Sequence, residues 1–315
     1  MSYCALFAGQ SVQESGMGRE LWRHSKAREA LRRLESSLGS DLEHLMTEMG
    51  DPELALTYNA QRAIHASHVA HWTAFQASHP GMVLGGAAGH SMGIAAALVA
   101  AGSLSLEDSG RFILERARAF SDVCKGFAEP MGLAAVSADY FEDVSERAKE
   151  LPGVSVALHN TVGRGVLGGT MRALEDFSRR ADAEGWPFKI KILKVEGPYH
   201  TPAFSPAKER MAKALSSVKI LPPRVPVFMG TSGREERDPG RIRELLAAQA
   251  DSPELYFQAV WAAYDGGLRR FVEVSFKPQP VTWIPEQLID EDGKPLAGVS
   301  AAAVKTADID APLPE

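Results

Sequence analysis

Residues 83–99 of the chain read VLGGAAGHSMGIAAALV, and this stretch decides the fold class. Its first two residues, Val83 and Leu84, suit a strand, and the apolar run 94–99 suits a compact helix. Between them lies the pattern G-x-S-x-G, whose glycines permit a sharp turn that exposes the Ser91 hydroxyl at the start of a helix. The alternative is a glycine-rich bend with an idle serine. The strand–turn–helix context favours a nucleophilic Ser91.

The rest of the chain continues this alternation of strands and helices. Further strands are predicted near residues 3–7, 225–229 and 269–274, with helical patterns between them, as in an α/β fold with a parallel sheet. The block 132–195 instead has the order βαββαβ, which is the ferredoxin-like signature. The sequence therefore predicts two kinds of sheet in one chain.

These patterns predict the domain organisation. Residues 1–130 and 196–284 are expected to form a large α/β domain with a parallel sheet, and residues 131–195 an inserted ferredoxin-like small domain. The G-x-S-x-G elbow in the large domain is typical of an α/β-hydrolase-like catalytic domain. Residues 285–315 are rich in Asp, Pro and Ala and show no sustained period, so we expect a loosely ordered tail there.

The composition is that of an average globular protein. Of 315 residues, 45% are hydrophobic and 23% charged, and the formal net charge of −6 argues against a nucleic-acid partner. No run approaches the roughly 18 apolar residues that would span a membrane. Two cysteines, Cys4 and Cys124, cannot build a disulfide framework or a four-ligand metal site. The first residues have neither a basic n-region nor a long apolar h-region, so we expect no export signal. We expect a cytoplasmic monomer without a metal.

A serine hydroxyl needs a base to accept its proton, and nine histidines compete for that role. His65, His68 and His71 have helical spacing; a packed or solvated helix face is favoured there over a metal site. His90 adjoins the serine inside the turn, which favours a structural role. His200 stands in a rigid turn between the small domain and a new helix, where its ring could face an interdomain cleft.

Several motifs resemble those of the malonyl-CoA:acyl-carrier-protein transacylase family, which includes acyltransferase domains of polyketide synthases. The resemblance covers about residues 3–283. Three motifs carry it: a loop at 7–13 similar to F-P-G-Q-G-S-Q, a segment at 57–63 similar to T-x-x-x-Q-P-A that contains Gln61, and the full G-H-S-x-G. The spacing also agrees, because Arg116 and His200 follow Ser91 by 25 and 109 residues, and Gln249 is followed by Pro253 as in Q-L-x-x-P-V. Separate motifs in the same order and register make this resemblance specific.

The resemblance implies a site and a reaction. It implies a Ser91–His200 dyad without a triad acid, in which backbone carbonyls near Gln249 orient the histidine, and an oxyanion hole formed by the backbone N–H groups of Gln10 and Met92. Arg116 would bind the free carboxylate of a malonyl group through two parallel hydrogen bonds. The remaining substrate-binding positions that it implies are Gln249, Asn160, Gln61 and Tyr199.

The implied reaction moves a malonyl group from coenzyme A to the phosphopantetheine thiol of an acyl carrier protein, in fatty-acid or polyketide biosynthesis. It uses no bound cofactor, because the coenzyme A thioester is the substrate. Tyr199 belongs to a Gly-Pro-Tyr segment that replaces the family's extender-selecting motif, and its bulk favours exclusion of an α-methyl group. Three alternatives stay open: an acyl hydrolase, a transferase between carrier proteins, and a degenerate docking subunit.

Overall fold

A computed structural model describes residues 2–312 of the protein. Within this range the strands are β1 (Ser2–Phe7), β2 (Val83–Gly89), β3 (Met131–Ser137), β4 (Val154–Thr161), β5 (Arg164–Thr170), β6 (Lys189–Ile192), β7 (Val227–Met229), β8 (Arg234–Glu236), β9 (Arg270–Val274) and β10 (Ser300–Val304). The α-helices are α1 (Ser25–Leu38), α2 (Leu42–Thr47), α3 (Asp51–Leu54), α4 (Thr57–Ser78), α5 (Ile94–Ala100), α6 (Leu106–Lys125), α7 (Phe141–Lys149), α8 (Met171–Glu184), α9 (Ser205–Leu215), α10 (Pro239–Ala248), α11 (Tyr256–Asp265) and α12 (Pro280–Gln287).

The larger sheet has the strand order β10-β9-β1-β2-β7-β8. All its pairings are parallel except that of β7 with the short edge strand β8. Residues 4–7 of the central strand β1 are almost completely buried, as expected for a parallel strand covered on both faces by helices. The carboxyl ends of β1 and β2 therefore lie side by side, and the loop after each strand opens at the same edge of the sheet.

The smaller sheet is antiparallel, with the order β4-β5-β3-β6. Helices α7 and α8 pack on it through a separate apolar core that includes Phe141, Val144, Leu174 and Phe177. The βαββαβ order and this strand order confirm the predicted ferredoxin-like unit. The α/β class with a parallel sheet is confirmed as well, whereas the domain boundaries at residues 130 and 196 stay a prediction.

The C-terminal segment differs from the expectation of a loosely ordered tail. Strand β10 pairs in parallel with β9, from Ser300 opposite Arg270 to Val304 opposite Val274, and Ala302 and Val304 are buried. Beyond β10, the Thr306 hydroxyl oxygen is hydrogen-bonded to His71 Nε2 of α4 over 2.8 Å. This strand could not be predicted from the sequence because the side chains of β10 are mostly alanine. Backbone pairing with the edge of β9 orders the strand, and no apolar periodicity marks it. Residues 313–315 lie outside the described part of the chain.

Candidate active site

A sharp elbow joins β2 to α5. Ser91 has φ 50°, and residues 91–93 form a tight 3₁₀ turn before the helix. A Cβ on Gly89 would lie 2.2 Å from the Ile94 nitrogen, and one on Gly93 would lie 2.3 Å from the Phe7 carbonyl oxygen. Both flanking glycines are therefore required sterically, and the Ser91 side chain is directed away from the packed backbone.

Backbone strain is concentrated at this elbow and its surroundings. Within residues 2–312, the non-glycine residues with positive φ are Ser11, Ser91 and His200. All three line one cavity. Conformations of this kind cluster at functional sites, where the surrounding structure holds them in place.

His200 forms a hydrogen-bonded pair with the serine. Its Nε2 lies 2.7 Å from Ser91 Oγ, and its Nδ1 lies 2.8 Å from the Gln249 carbonyl oxygen. Because a carbonyl only accepts, Nδ1 carries the proton, and the Nε2 lone pair faces the serine hydroxyl. Burial, reinforced by the positive charge of Arg116, lowers the pKa of His200 to about 3. The imidazole is thus neutral at pH 7, and its Nε2 can accept a hydrogen bond from the serine hydroxyl.

Arg116 lies behind the serine on α6 and is 2% exposed. Its Nη2 donates to Ser91 Oγ over 3.3 Å, its Nε donates to Gln249 Oε1 over 3.3 Å, and the guanidinium stands 4.1 Å from the Phe120 ring centroid. Desolvation lowers its pKa to about 10, so it remains a cation at pH 7. Its hydrogen-bond partners among residues 2–312 are Gln249 and Ser91, and the nearest charge that acts on it is the Glu254 carboxylate, which makes no direct ion pair with it.

Gln249 connects the serine, the histidine and the arginine. Besides accepting from Arg116 and orienting His200, it donates through Nε2 to the Ser91 carbonyl oxygen over 2.9 Å. Its side chain is 1% exposed and does not line the cavity. The structure therefore brings Gln249 to the back of the elbow, where it can position Ser91 and Arg116.

A cavity of about 390 Å³ opens in front of the Ser91 hydroxyl. One wall comes from the loop after β1 and from Trp283 of α12. The opposite wall is apolar and comes from the smaller sheet and the loop after β6, through Leu133, Ala135, Leu158, Val166, Leu193 and Val195. Ser91 thus stands at the base of a cleft between the two sheets, a common place for a ligand site.

Gln10, Tyr199 and Asn160, three residues for which the resemblance implies a role in the site, line this cavity. The Gln10 amide donates to Thr57 Oγ1 over 3.3 Å, and Thr57 Oγ1 also bonds the Tyr199 hydroxyl. Asn160 Oδ1 accepts a hydrogen bond from His90 Nε2 over 2.9 Å. His90 therefore joins the elbow to the smaller sheet, and it also lines the cavity.

Four of the implied residues do not line the cavity: Arg116 and Gln249, which lie behind the serine, and Met92 and Gln61. Met92 is 1% exposed and the cavity is not lined by its side chain, so only its backbone could face a reacting atom. Gln61 is 1% exposed and points into the protein from α4; neither of its side-chain polar atoms has a hydrogen-bond partner among residues 2–312. Gln61 follows Thr57 by one helical turn, which puts it beside the residues that hold Gln10 and Tyr199.

Sequence reasoning missed one residue of the site, Glu254. Its carboxylate is completely buried; Oε1 accepts from the Ser91 backbone N–H over 3.1 Å, and Oε2 accepts from Gln249 Nε2 over 3.4 Å. Desolvation raises its pKa to about 7. A signal was present, because Glu254 follows Pro253 where the family segment Q-L-x-x-P-V has valine.

The triplet His65, His68 and His71 lies inside the protein on α4 and is almost fully buried. Phe7 packs against the His68 ring. In the described part of the chain, no group of His, Cys, Asp and Glu side chains is arranged to hold a metal ion. Of the packed and solvated faces that the sequence left open for these histidines, the structure has the packed one.

A serine–histidine pair on such an elbow, with a buried guanidinium at the serine oxygen and a cleft in front, defines the class of serine acyl-transfer enzymes. The chain belongs to the acyl transferase family, because the family profile described as "Acyl transferase domain" matches residues 5–305. The chain is therefore an acyltransferase, as the motifs predicted. No helix in residues 2–312 has the length and apolar character needed to cross a membrane.

Individual relatives agree with the family. The chain is 31% identical over 272 residues to the malonyl CoA-acyl carrier protein transacylase of Bacillus subtilis (strain 168), covering 85% of each chain. It is 30% identical over 288 residues to the mitochondrial malonyl-CoA-acyl carrier protein transacylase of Homo sapiens, covering 87% of this chain and 73% of the relative. The crystal structure of an acyl-carrier-protein S-malonyltransferase from Bartonella henselae matches with a TM-score of 0.87 and 26% identity, covering 98% of this chain and 97% of the other.

Proposed function

We propose that the protein transfers a malonyl or related carboxyacyl group from coenzyme A to the phosphopantetheine thiol of an acyl carrier protein, through an ester on Ser91. The observation that carries this proposal is the Arg116 guanidinium, a buried cation 3.3 Å from Ser91 Oγ with no carboxylate in ion-pair contact within residues 2–312. Glu254 acts on this guanidinium only across the Gln249 amide, so the direct hydrogen-bond partner that a buried cation needs can be the free carboxylate of a malonyl group. The substrates named for the relatives have this chemistry.

The first half-reaction loads the enzyme. His200 Nε2 takes the proton of Ser91 Oγ, and the oxygen attacks the thioester carbonyl carbon. The resulting oxyanion is stabilised by the backbone N–H groups of Gln10 and Met92, at the loop after β1 and the start of the elbow turn. When the C–S bond breaks, the imidazolium returns the proton to the leaving sulfur, and coenzyme A departs as the thiol.

The second half-reaction unloads the acyl group. His200 Nε2 takes the proton of the carrier protein's pantetheine thiol, the thiolate attacks the acyl-Ser91 ester, and the proton returns to Ser91 Oγ as the C–O bond breaks. The apolar wall formed by the smaller sheet suits the pantetheine arm, which must reach Ser91 through the cleft. Gln249, through its carbonyl bond to His200 Nδ1, keeps the imidazole in one tautomer in both halves.

Tyr199 bears on which acyl group is accepted. Its ring lines the cavity beside Phe120 and Phe204, and its hydroxyl is fixed by Thr57. A fixed ring at this place favours malonyl over an α-methylated group, by the roughly 1–3 kcal/mol that one methyl group is worth in an apolar pocket. Asn160 lines the same cavity and would contact the substrate directly, and Gln61 lies one helical turn after Thr57, behind the site. The two unpaired cysteines, Cys4 and Cys124, suit a cytoplasmic protein, and we propose that it acts as a monomer.

The experiment that tests the proposal follows the mass of the intact protein. Incubation with a panel of acyl-CoA thioesters should give a malonyl adduct on the wild-type chain and none on Ser91→Ala. Holo carrier protein should then remove the adduct, whereas the matched apo carrier protein, which has no pantetheine thiol, should not. An adduct that decays equally fast with both carrier proteins would indicate hydrolysis, and absence of any adduct would overturn the proposal. The family assignment does not favour the hydrolase alternative.

A further inference from the structure

The carboxylate of Glu254 is built into the back of the catalytic elbow. The backbone of Glu254 is paired with β4: its N–H donates to the Ala157 carbonyl, and its carbonyl accepts from the His159 backbone N–H. This strand-like pairing fixes the residue. Gly230 makes room for the side chain, since a Cβ there would lie 2.0 Å from Oε1. The position is thus shaped for a carboxylate that reaches the Ser91 backbone.

Glu254 and Arg116 are opposite charges on two sides of one amide. Gln249 donates to Glu254 Oε2 over 3.4 Å and accepts from Arg116 Nε over 3.3 Å, so its side chain bridges the two groups. All three side chains are 2% exposed or less. In such a weakly screened site, an ionised Glu254 offsets part of the field that Arg116 projects toward Ser91 Oγ.

We propose that Glu254 is a positioning residue that also determines specificity: its negative charge weakens the binding of an acyl carboxylate by Arg116. The site then discriminates less between carboxylated and uncharged acyl groups. This inference rests on the proposed function of Arg116. With Glu254 ionised, the pair is neutral, and a bound malonyl carboxylate leaves one net negative charge in the buried site. With Glu254 protonated, Arg116 is an unbalanced cation, and the bound carboxylate makes the site neutral.

The charged and titratable groups around Glu254 separate clearly by pH. Arg116 stays positive and Tyr256 stays neutral up to pH 9, because burial brings the pKa of Arg116 only to about 10 and raises that of Tyr256 well above its usual value. The pKa values of His200 and of His159, whose backbone pairs with Glu254, are lowered by burial. Glu254, with its pKa raised to about 7, changes charge around neutral pH. Glu273, which also acts on Tyr256, has its pKa raised to about 7 as well, so a pH series needs a background in which Glu273 is removed.

The test is a competition between malonyl-CoA and acetyl-CoA for Ser91, read as the ratio of the two adducts by intact mass. Glu254→Gln keeps an acceptor for the Ser91 N–H and removes the charge. Its malonyl-to-acetyl ratio should rise by roughly tenfold over that of the wild type, as expected for removal of a nearby buried charge. Steps common to both thioesters, including proton transfer through His200, cancel in this ratio. A ratio within about twofold of the wild type would overturn the inference.

The matched control is Glu273→Gln. Glu273 is also buried with its pKa raised to about 7, but it accepts from Gln279 and Val281 at the start of α12. Its removal should leave the ratio unchanged, and an equal rise there would overturn the inference.

If Glu254→Gln fails to fold, the Glu273→Gln variant decides the question, because it leaves Glu254 as the buried carboxylate that titrates near pH 7. Its malonyl-to-acetyl ratio should fall as pH rises from 6 to 8.5 through the titration of Glu254. A flat ratio would overturn the inference. The proposed function fails separately, since it requires a malonyl adduct on the wild type in the first place.

Discussion

Ser91 and His200 hold strained backbone conformations, with φ of 50° and 62°. Each such residue costs about 1–3 kcal/mol, which fixed hydrogen bonds must offset. The His200 N–H donates to the Ala250 carbonyl over 3.1 Å, and the Ser91 N–H donates to Glu254. These contacts keep Oγ and Nε2 within hydrogen-bond distance before any substrate binds, so little reorganisation is needed for proton transfer.

His200→Ala removes the acceptor of the serine proton. The rate of adduct formation on Ser91 should fall at least ~10³-fold, because the hydroxyl is then a weak nucleophile. Quenched-flow mass spectrometry of the malonyl adduct measures this rate. His44→Ala, which changes an exposed histidine on α2, is the control and should react like the wild type. A His200→Ala rate above about one tenth of the wild-type rate would contradict the assigned role.

Arg116→Ala should damage carboxylated substrates selectively. Loss of the guanidinium removes the counter-charge of the malonyl carboxylate, and kcat/KM for malonyl-CoA should fall about 10²-fold or more relative to that for acetyl-CoA. Arg118→Ala is the matched control, since Arg118 lies two residues further along α6, is half exposed and pairs with Glu115. Equal losses for both thioesters in Arg116→Ala would assign Arg116 a structural role only.

At the scale of elements, the site depends on three connections that meet at one edge of the parallel sheet. The loop after β1 brings Gln10, the elbow after β2 brings Ser91, and the turn after α10 brings Gln249 and Glu254. The loop after β1 and the elbow after β2 can pack together at Gly93, because the absence of a side chain there leaves space for the Phe7 carbonyl. The helices therefore serve as fixed supports, and the reacting groups stand on short, tightly packed turns.

In strand β10, a buried residue and an exposed residue are neighbours, so substitutions at the two positions should affect stability differently. Val304 is 6% exposed and Ala303 is exposed on the opposite face of the strand. Val304→Asp should lower the free energy of unfolding by about 3 kcal/mol, since it buries an unpaired charge, whereas Ala303→Asp should change it by less than about 0.5 kcal/mol. Denaturant titration of both variants gives the comparison. Equal, small effects would indicate that this segment is loosely ordered after all.

At the scale of the whole molecule, the core contains an unusual number of neutral histidines. Burial lowers the pKa of His65 and His68 to about 3 and that of His71 to about 4. The unfolded chain binds these protons near pH 6.5, so the unfolded state takes up more protons than the folded state between pH 6.5 and about 3. Their contribution to stability is complete above pH 6.5 and is lost as the pH falls through this window. Glu254 and Glu273, with pKa values raised to about 7, act in the opposite direction above pH 4.5.

His68→Leu isolates one member of this set. Both ring nitrogens of His68 lack a hydrogen-bond partner among residues 2–312, so the substitution breaks no bond of the described structure. The free energy of unfolding should then depend less on pH between 6.5 and 4.5, by up to about 1.4 kcal/mol per pH unit relative to the wild type. Urea titrations at several pH values measure this slope. His44→Leu is the exposed control, and an unchanged slope in His68→Leu would contradict the assigned cause.

The sequence predicted what depends on local rules and on fixed spacing. The elbow could be found because two glycines and a serine leave few backbone alternatives, and His200 and Arg116 could be found because their distances along the chain match a family. Glu254 could not be found by composition, because Asp-Ser-Pro-Glu reads as a solvated turn, and only the folded chain buries its carboxylate. Strand β10 escaped for a related reason, since its order comes from the edge of β9.

The strand order of the parallel sheet also governs how the protein can be made. β1 pairs on one side with β2 and on the other with β9, so Tyr3 meets Arg270. A ribosome adds about 5–20 residues per second, and the first strand therefore waits for tens of seconds with one edge unpaired. The elbow cannot gain its final support until nearly the whole chain has emerged. Acylation of stalled nascent chains of increasing length should accordingly begin only once β9 has left the exit tunnel, and earlier activity would disprove this order of events.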